Sequence, residues 1–491
     1  MDIALFKRLG QLFALIIAAI IANYYTPAYV SGAFYIGTLI AYFRSENEAF
    51  WFTFYLVLAD GFFGFFGLYE ALLTVIPGLP PIEVSQLYIL LSLFKAYLRP
   101  VTHRPFYTFP LQVLGIYIVF LLIQGHVLGV STDMNVQFRI IKWLMPLFLF
   151  YSLPRLFTKT DHYRDLFVYL FPIAFVTLAA QIFTISTSLS PPQYFGIQKK
   201  VWFAIKVSES KTYRGFYNDS IVLFTYFAAF FFLAHKKKYF HPLYLFAVIA
   251  ANFSSVFLSA TRGWTISFSF MLIMSSIFVL QISGRRLAAI VVVGIVFAFG
   301  AQSLPIIGVQ IQNSFKRMLT LEKLAEGDAS AGGTLIRLTE RGPRVMKKWE
   351  ESPLTGWGFS NEFMDYNDFH VGNQNILLHG GIIGWIFIAW FIVFYFMKLF
   401  FRSVNLPRGH PAKQSLLAFI IGFMAWFLIH SSSQQLFSLY NYASFGLIQA
   451  SFFCFSAIIY EESLNEASEE ENPEEEQLDS ISDQEKSLDQ V

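Results

Sequence analysis

The residues best placed to do chemistry in this chain are cations that stand where a membrane protein does not need them. Arg262 sits in Leu258-Ser-Ala-Thr-Arg-Gly-Trp264, a five-residue gap between two long apolar runs. A charge at that depth is costly unless it is paired, faces water or snorkels to headgroups, so Arg262 marks either a site or an anchor. Arg214 closes a polar stretch in Thr212-Tyr-Arg-Gly-Phe-Tyr-Asn-Asp219, with Lys211 beside it. A guanidinium offers fixed, paired donors that match phosphate oxygens, whereas an ammonium is a point charge. Arg337, Arg341, Arg344 and Lys348 fall near one face if residues 337–351 are helical, with a break expected at Gly342-Pro343. His370, in Asp368-Phe-His-Val-Gly-Asn-Gln-Asn375, stands just before an apolar run. Its imidazole, near its ordinary value of about 6.5, can accept a proton at neutral pH. Asp365 and Asp368 could act as the base instead, or fix the imidazole tautomer, and His379 is a second polar residue inside the following run.

The elements that must position these residues are membrane spans. Hydrophobic residues make up 55% of the 491, aromatic residues 19% and charged residues 14%. Mean hydropathy is +0.52. A soluble core stops growing at about 250–300 residues, so this much apolar surface needs a bilayer. Four runs, Phe109–Gly129, Leu166–Thr187, Trp264–Ser283 and Ile376–Met397, are long enough to span and carry no Asp, Glu, Lys or Arg. Ten shorter or less clean runs bring the expected number to about fourteen: Leu9–Tyr25, Tyr29–Phe43, Phe50–Leu68, Gln86–Phe94, Trp143–Leu153, Ser220–Ala234, Pro242–Leu258, Leu287–Leu304, Gln414–Ile429 and Asn441–Tyr460. Phe50–Pro81 could instead hold a re-entrant segment. The expected fold is therefore an all-α polytopic membrane protein of about 12–14 transmembrane helices, with a long outer loop bearing short helices.

The net charge of +2 conceals a division: residues 461–491 hold 13 acidic residues and one basic, leaving 34 basic and 20 acidic in the rest. The tail reads as disordered and cytoplasmic. If the N-terminus is cytoplasmic, 18 of the 34 cations fall in inside loops, the asymmetry that sets orientation. The remaining 16 fall outside, 13 of them in two long outer loops, about 188–219 and 305–373. Within the second loop, Ile311–Leu324 is amphipathic and suits a helix lying on the outer surface. Composition excludes a soluble enzyme, a disordered scaffold and a nucleic-acid binder. A single cysteine, Cys454, excludes a disulfide framework, and the nine histidines form no zinc pattern. No Asp-x-Asp motif or nucleotide-binding glycine loop appears.

Four local stretches, in order, resemble the O-antigen ligase and polymerase family of bacterial envelope glycosyltransferases. Ser259-Ala-Thr-Arg-Gly263 is similar to the family's Ser-x-Ser-Arg-Gly turn, and Arg214-Gly-Phe-Tyr-Asn218 to its Arg/Gly/Phe/Asn start of a span. Arg337-Leu338 with Pro353-Leu-Thr-Gly-Trp-Gly-Phe359 is similar to its Arg-Leu…Pro-Leu-x-Gly-x-Gly stretch. His370, followed by ten residues and Gly381-Ile-Ile-Gly384, is similar to its His-x10-Gly-x-x-Gly element. Val371 where the family usually has Asn, Thr261 for the second Ser, and His379-Gly380 for an acidic residue are departures. The resemblance divides the chain into N-terminal spans (1–200), a ligase-like region (201–460) and the tail (461–491).

The resemblance implies a metal-independent, cofactor-free transfer on the outer face of the bacterial inner membrane, with both termini cytoplasmic. The donor would be a glycan on undecaprenyl diphosphate. The acceptor would be a sugar hydroxyl on another lipid-bound glycan or on a lipid A core. His370 would be the base, Arg214, Arg262 and Arg337 the diphosphate-binding residues, and Lys211, Arg341, Asp368 and His379 secondary candidates. The partners are the donor, the acceptor and the bilayer, with no nucleic acid. Two other readings stay open at this point: a transporter or flippase for lipid-linked glycans, and an assembly protein that works through its acidic tail.

Overall fold

A computed structural model describes residues 3–65, 71–74, 80–101, 104–197, 203–207, 210–214, 217–286, 300, 303, 305–325, 337–368, 371–407, 409–430 and 443–471. It is almost wholly helical. In chain order the helices are α1 (Ile3–Tyr25), α2 (Ala28–Arg44), α3 (Glu48–Ala59), α4 (Val84–Tyr97), α5 (Thr108–Leu128), α6 (Met134–Leu144), α7 (Leu149–Leu156), α8 (Thr160–Thr187), α9 (Asp219–Ala234), α10 (Pro242–Leu258) and α11 (Arg262–Met274). They continue with α12 (Pro305–Ala325), α13 (Gly342–Trp349), α14 (Asn361–Tyr366), α15 (Gly372–Asn405), α16 (Pro411–His430) and α17 (Ala443–Glu471). Among the described residues, seven helical stretches are long and apolar enough to cross a membrane, and four shorter apolar helices accompany them. Of the fourteen expected runs, twelve fall mainly on described helices; Phe50–Leu68 is helical over Phe50–Ala59, and Leu287–Leu304 lies mostly outside the described residues.

Phenylalanine packs the centre. Phe227 of α9 meets Phe419 of α16 at 4.8 Å and Phe452 of α17 at 5.0 Å between ring centroids. One turn on, Phe231 meets Phe455 at 4.7 Å and Phe419 at 5.5 Å. Gly422 admits the first of these rings, because a Cβ there would stand 2.7 Å from Phe227 Cδ2. Between helices in lipid, close packing must do what the hydrophobic effect does in water, and each aromatic pair adds about 0.5–1.5 kcal/mol.

The structure corrects three expectations. The run Phe50–Leu68 is no continuous span: α3 stops at Ala59, and Gly61, Phe62, Phe63 and Gly64 all have φ between 53° and 70°. Two glycines, which tolerate positive φ, bracket the two phenylalanines that do not, so the chain turns out of the helix there. The loop before α9 is not helical or irregular throughout. Strands β3 (Phe203–Val207) and β4 (Ser210–Arg214) pair antiparallel, as β1 (Leu72–Leu73) and β2 (Ile82–Glu83) do earlier. Finally, α17 does not end at Tyr460 but runs on to Glu471. Glu and Ala are strong helix formers, and the extension is tied down where Thr160 donates to Glu462 Oε1 at 2.9 Å and Arg402 donates to Ser463. Residues 472–491 lie outside the described ones. Gly342-Pro343 proves to be a boundary: residues 337–341 form a wider π turn, and Pro343 stands in the first turn of α13, where its missing N–H costs nothing.

A buried ion pair fixes the first helices. Lys95 of α4 lies 2.7 Å from Glu48 at the start of α3, and also donates to the carbonyls of Tyr42 and Ser45 at the end of α2. Arg99 adds a contact to Glu48 at 2.9 Å. Lys95→Ala should therefore cost about 1–3 kcal/mol by leaving the buried Glu48 with Arg99 alone as its ion-pair partner, and Glu48→Gln with Lys95→Met should recover most of it. Thermal unfolding of the detergent-purified variants measures both.

Candidate functional site

Two groups of residues carry the candidate chemistry. The first is built on the turn between α10 and α11. α10 ends at Leu258 and α11 begins at Arg262, so the gap between spans is a tight turn. Ala260 is buried in it at φ 52°. Ser259 Oγ donates to Val256 O at 2.5 Å and lies 2.5 Å from Thr261 Oγ1. Thr265 Oγ1 donates to Thr261 O at 3.1 Å. These bonds hold a backbone that a non-glycine residue adopts reluctantly. They set Arg262, half-buried, as the first residue of α11, where the helix dipole favours an anion.

Gln310 of α12 joins this turn to the β-hairpin. Its Nε2 donates to Leu258 O at 2.7 Å and Tyr213 O at 2.8 Å, and its Oε1 accepts from Tyr213 N at 3.1 Å. One buried amide thus ties the residue before Arg214 to the end of α10, and brings β4 beside the Arg262 turn. Of Arg214 and Lys211 only the backbone is described. In the strand register Lys211 pairs with Lys206 and Arg214 with Phe203.

α12 also overturns part of its sequence reading. Its inward face includes Gln310, Asn313, Ser314 and Arg317, all buried, at the i, i+3, i+4, i+7 spacing of one stripe. Phe315 beside them meets Phe257 of α10 at 5.0 Å. Asn313 Nδ2 and Ser314 Oγ are buried with no hydrogen-bond partner. Arg317 is a functional candidate that the sequence reading passed over. The signal was there in the spacing of Gln310, Asn313, Ser314 and Arg317, but an amphipathic helix in a loop is ordinarily taken to turn its polar stripe to water.

The second group surrounds α15. That helix breaks at Gly381 (φ 61°, ψ −162°), and the segment 353–359 fills the break. Trp357 N–H donates to Leu378 O at 2.9 Å and Gly358 N–H to His379 O at 2.8 Å. In return, Ile382 N–H donates to Pro353 O at 2.9 Å and Ile383 N–H to Leu354 O at 3.1 Å. Every backbone group freed by the break thus finds a partner, as surroundings without water demand. On its other side the segment meets α5: Phe359 N–H donates to Leu121 O at 3.3 Å, Gln124 Nε2 to Gly356 O at 2.9 Å, and Tyr117 OH to Gly380 O at 2.7 Å. The stretches Pro353–Phe359 and Gly381–Gly384, separate in sequence, are one structural unit.

The remaining sequence candidates fall around this unit. His370 lies outside the described residues, but the loop carrying it is clasped at its base. Asp368 N–H donates to Asn375 Oδ1 at 3.0 Å, and Asn375 Nδ2 donates back to Asp368 O at 2.5 Å. Asp368 lies 3.6 Å from Arg341 and 3.4 Å from Arg344. Arg341 is therefore turned to a carboxylate, and Asp368 is engaged by two cations, which suits it to holding the loop better than to taking a proton. His379 is sealed from solvent between the rings of Phe359, at 4.5 Å, and Phe363, at 4.4 Å. It packs the unit and does not line a solvent-open surface. Lys348 lies over Trp357 and bridges Glu351 at 2.7 Å and Glu362 at 2.8 Å. Both carboxylates push its pKa up, against the effect of burial. For Arg337 only the backbone is described. Among the described residues no group of three or more His, Cys, Asp or Glu gathers as a metal site. A shallow apolar groove lined by Val119, Leu122, Ile123 and Val127 runs along α5, with His126 at one end.

No family model matches the chain, and no curated protein matches it as a relative.

The break in α15 gives a direct test. A Cβ on Gly381 would stand 2.3 Å from Leu354 O, in a backbone region that only glycine adopts. Gly381→Ala should cost about 2–5 kcal/mol and expose residues 353–359 to protease. Gly37→Ala, with nothing within 4 Å of its new methyl, should leave stability level or slightly raised.

Proposed function

We propose that this protein is a membrane glycosyltransferase that moves a glycan from undecaprenyl diphosphate to a sugar hydroxyl on the outer face of the bacterial inner membrane. The observation that carries this reading is a set of donors on α11 and α12, two helices that both pack against α10. Arg262 at a helix N-terminus, the buried Arg317, and the unpartnered donors Asn313 Nδ2 and Ser314 Oγ suit a multiply charged anion at the headgroup level. Arg214, one residue beyond the Gln310 clamp, joins this set, and the four sequence resemblances support the same assignment.

In the reaction the acceptor hydroxyl oxygen attacks the anomeric carbon. The bond from that carbon to the diphosphate oxygen breaks, and its electron pair leaves with the diphosphate. The arginines stabilise the charge that develops there, aimed from a preorganised backbone. The hydroxyl proton passes to His370. The acceptor is a lipid-bound glycan or a lipid A core, and the apolar groove on α5 suits an isoprenoid chain. The chain's cationic inside loops orient both termini to the cytoplasm.

A second reading, transport of a lipid-linked glycan, is favoured by one observation. α3 is interrupted beside a buried carboxyl, Asp60, a pattern found at transport sites. The two readings separate in cells. His370→Ala, Arg262→Ala and Arg317→Ala should each abolish polymer or ligated glycan at equal expression, while the lipid-linked repeat still reaches the outer leaflet. Arg262→Lys should recover little, since an ammonium cannot bind two oxygens at once. Wild-type glycan length and yield in all three alanine variants would refute the transferase, and loss of the outer-leaflet repeat would favour transport.

A further inference from the structure

A second group of buried polar side chains is opposite in charge to the arginine seat, and the proposed transfer does not use it. Thr177, Gln181 and Thr184 lie along one face of α8. Thr177 Oγ1 accepts from Asn218 Nδ2 at 2.8 Å, and Thr184 Oγ1 lies 2.8 Å from Tyr217 OH. Gln181, between them, must therefore face the Tyr217–Asn218 segment just before α9. It is fully buried, and neither atom of its amide has a hydrogen-bond partner. Asn218 Oδ1 is likewise buried and unpartnered.

The interrupted α3 closes the other side. A Cβ on Gly64 would stand 2.8 Å from Asn218 N, and the Phe65 ring meets Tyr217 edge-on at 5.2 Å. Asp60, where α3 ends, is buried with Oδ2 unpartnered, and the charge that acts on it is a second carboxylate, Asp219. Asp219 Oδ1 accepts from Ser220 N–H at 2.8 Å and Ser220 Oγ at 3.3 Å, at the N-terminus of α9. It is only half-buried, which leaves a way in.

Three unpartnered oxygens, Asp60 Oδ2, Asn218 Oδ1 and Gln181 Oε1, thus lie on three segments that these contacts bring together, beside a second carboxylate and the negative end of the α3 dipole. Hard oxygen ligands of this kind suit an alkali or alkaline-earth cation. Asp219 is already served by Ser220 and by the positive end of α9, so the charge left to balance is close to one. We propose that Asp60, Asn218, Gln181 and Asp219 bind a single monovalent cation of the Na⁺ class, which pins the interrupted α3 to α8 and α9. This site shares none of its four residues with the diphosphate seat and does not depend on it.

The test is thermal unfolding of the purified full-length protein in detergent, titrated with NaCl against choline chloride at constant ionic strength and pH. Na⁺ should raise the midpoint by about 2–3 °C as it passes from well below to about a hundred times its dissociation constant, and choline should not. Asp60→Asn and, separately, Gln181→Leu should each abolish that increment with far-UV circular dichroism unchanged. If one variant does not fold, the other decides. Equal midpoints in Na⁺ and choline would overturn the proposal and leave the cavity to protons or water. So would a full Na⁺ increment in a folded variant, or stabilisation by CaCl₂ alone.

Discussion

Away from water, each backbone N–H and C=O must find a partner within the protein, and the form of this molecule follows from how it meets that demand where helices fail. α15 breaks at Gly381, and four reciprocal backbone bonds from segment 353–359 close the break. The hairpin and the end of α10 meet at a place where one amide, Gln310, satisfies three backbone groups at once. Irregular backbone inside a membrane is tolerated only where it is clamped in this way or lines a polar cavity. Each clamp therefore also fixes the side chains on either side of it. Arg262 and Arg317 are carried on elements joined at the first clamp around α10, and Asp368 and Asn375 flank the second around α15.

The polar cavities also differ in sign. Beneath α12 the buried side chains without partners offer N–H and O–H groups, next to arginines. Beside α3 the unpartnered buried atoms are chiefly oxygens, next to carboxylates. A buried polar atom left unpaired costs about 1–3 kcal/mol, so neither set is an economical way to fill space. Read as binding sites, the first suits an anion and the second a cation. The aromatic core built from Phe227, Phe231, Phe419, Phe452 and Phe455 has a plainly structural role.

Most of the helices were legible in the sequence because a span is a long apolar run and little else. The break in α3 was partly legible: Gly61 and Gly64 mark it, but two phenylalanines between them kept the run apolar, and hydropathy cannot see a positive φ. The β3–β4 hairpin was missed because residues 203–214 mix Lys and Ser with Val, Ile, Thr and Tyr, so that charge drew attention away from strand propensity. The helical extension to Glu471 was missed because acidity indicates solvation and says nothing against helix. At the site, Arg262 announced itself by standing where orientation does not require a cation. Arg317 did not, since only the docking of α12 against α10 and β4 turns its polar stripe inward. The same limit applied to Asp368 and Arg341, which the sequence offered as separate candidates and the fold joins in one ion pair.

The central claim is that the seat between α10, α11 and α12 binds a diphosphate carried on a lipid. Equilibrium binding of undecaprenyl diphosphate and undecaprenyl monophosphate to the purified protein in nanodiscs tests it most directly. The diphosphate should bind at least tenfold more tightly than the monophosphate, and Arg262→Gln with Arg317→Gln should remove that preference while leaving the unfolding midpoint in place. Equal affinity for the two lipids in the wild type, or an undiminished preference in the double variant, would contradict the account.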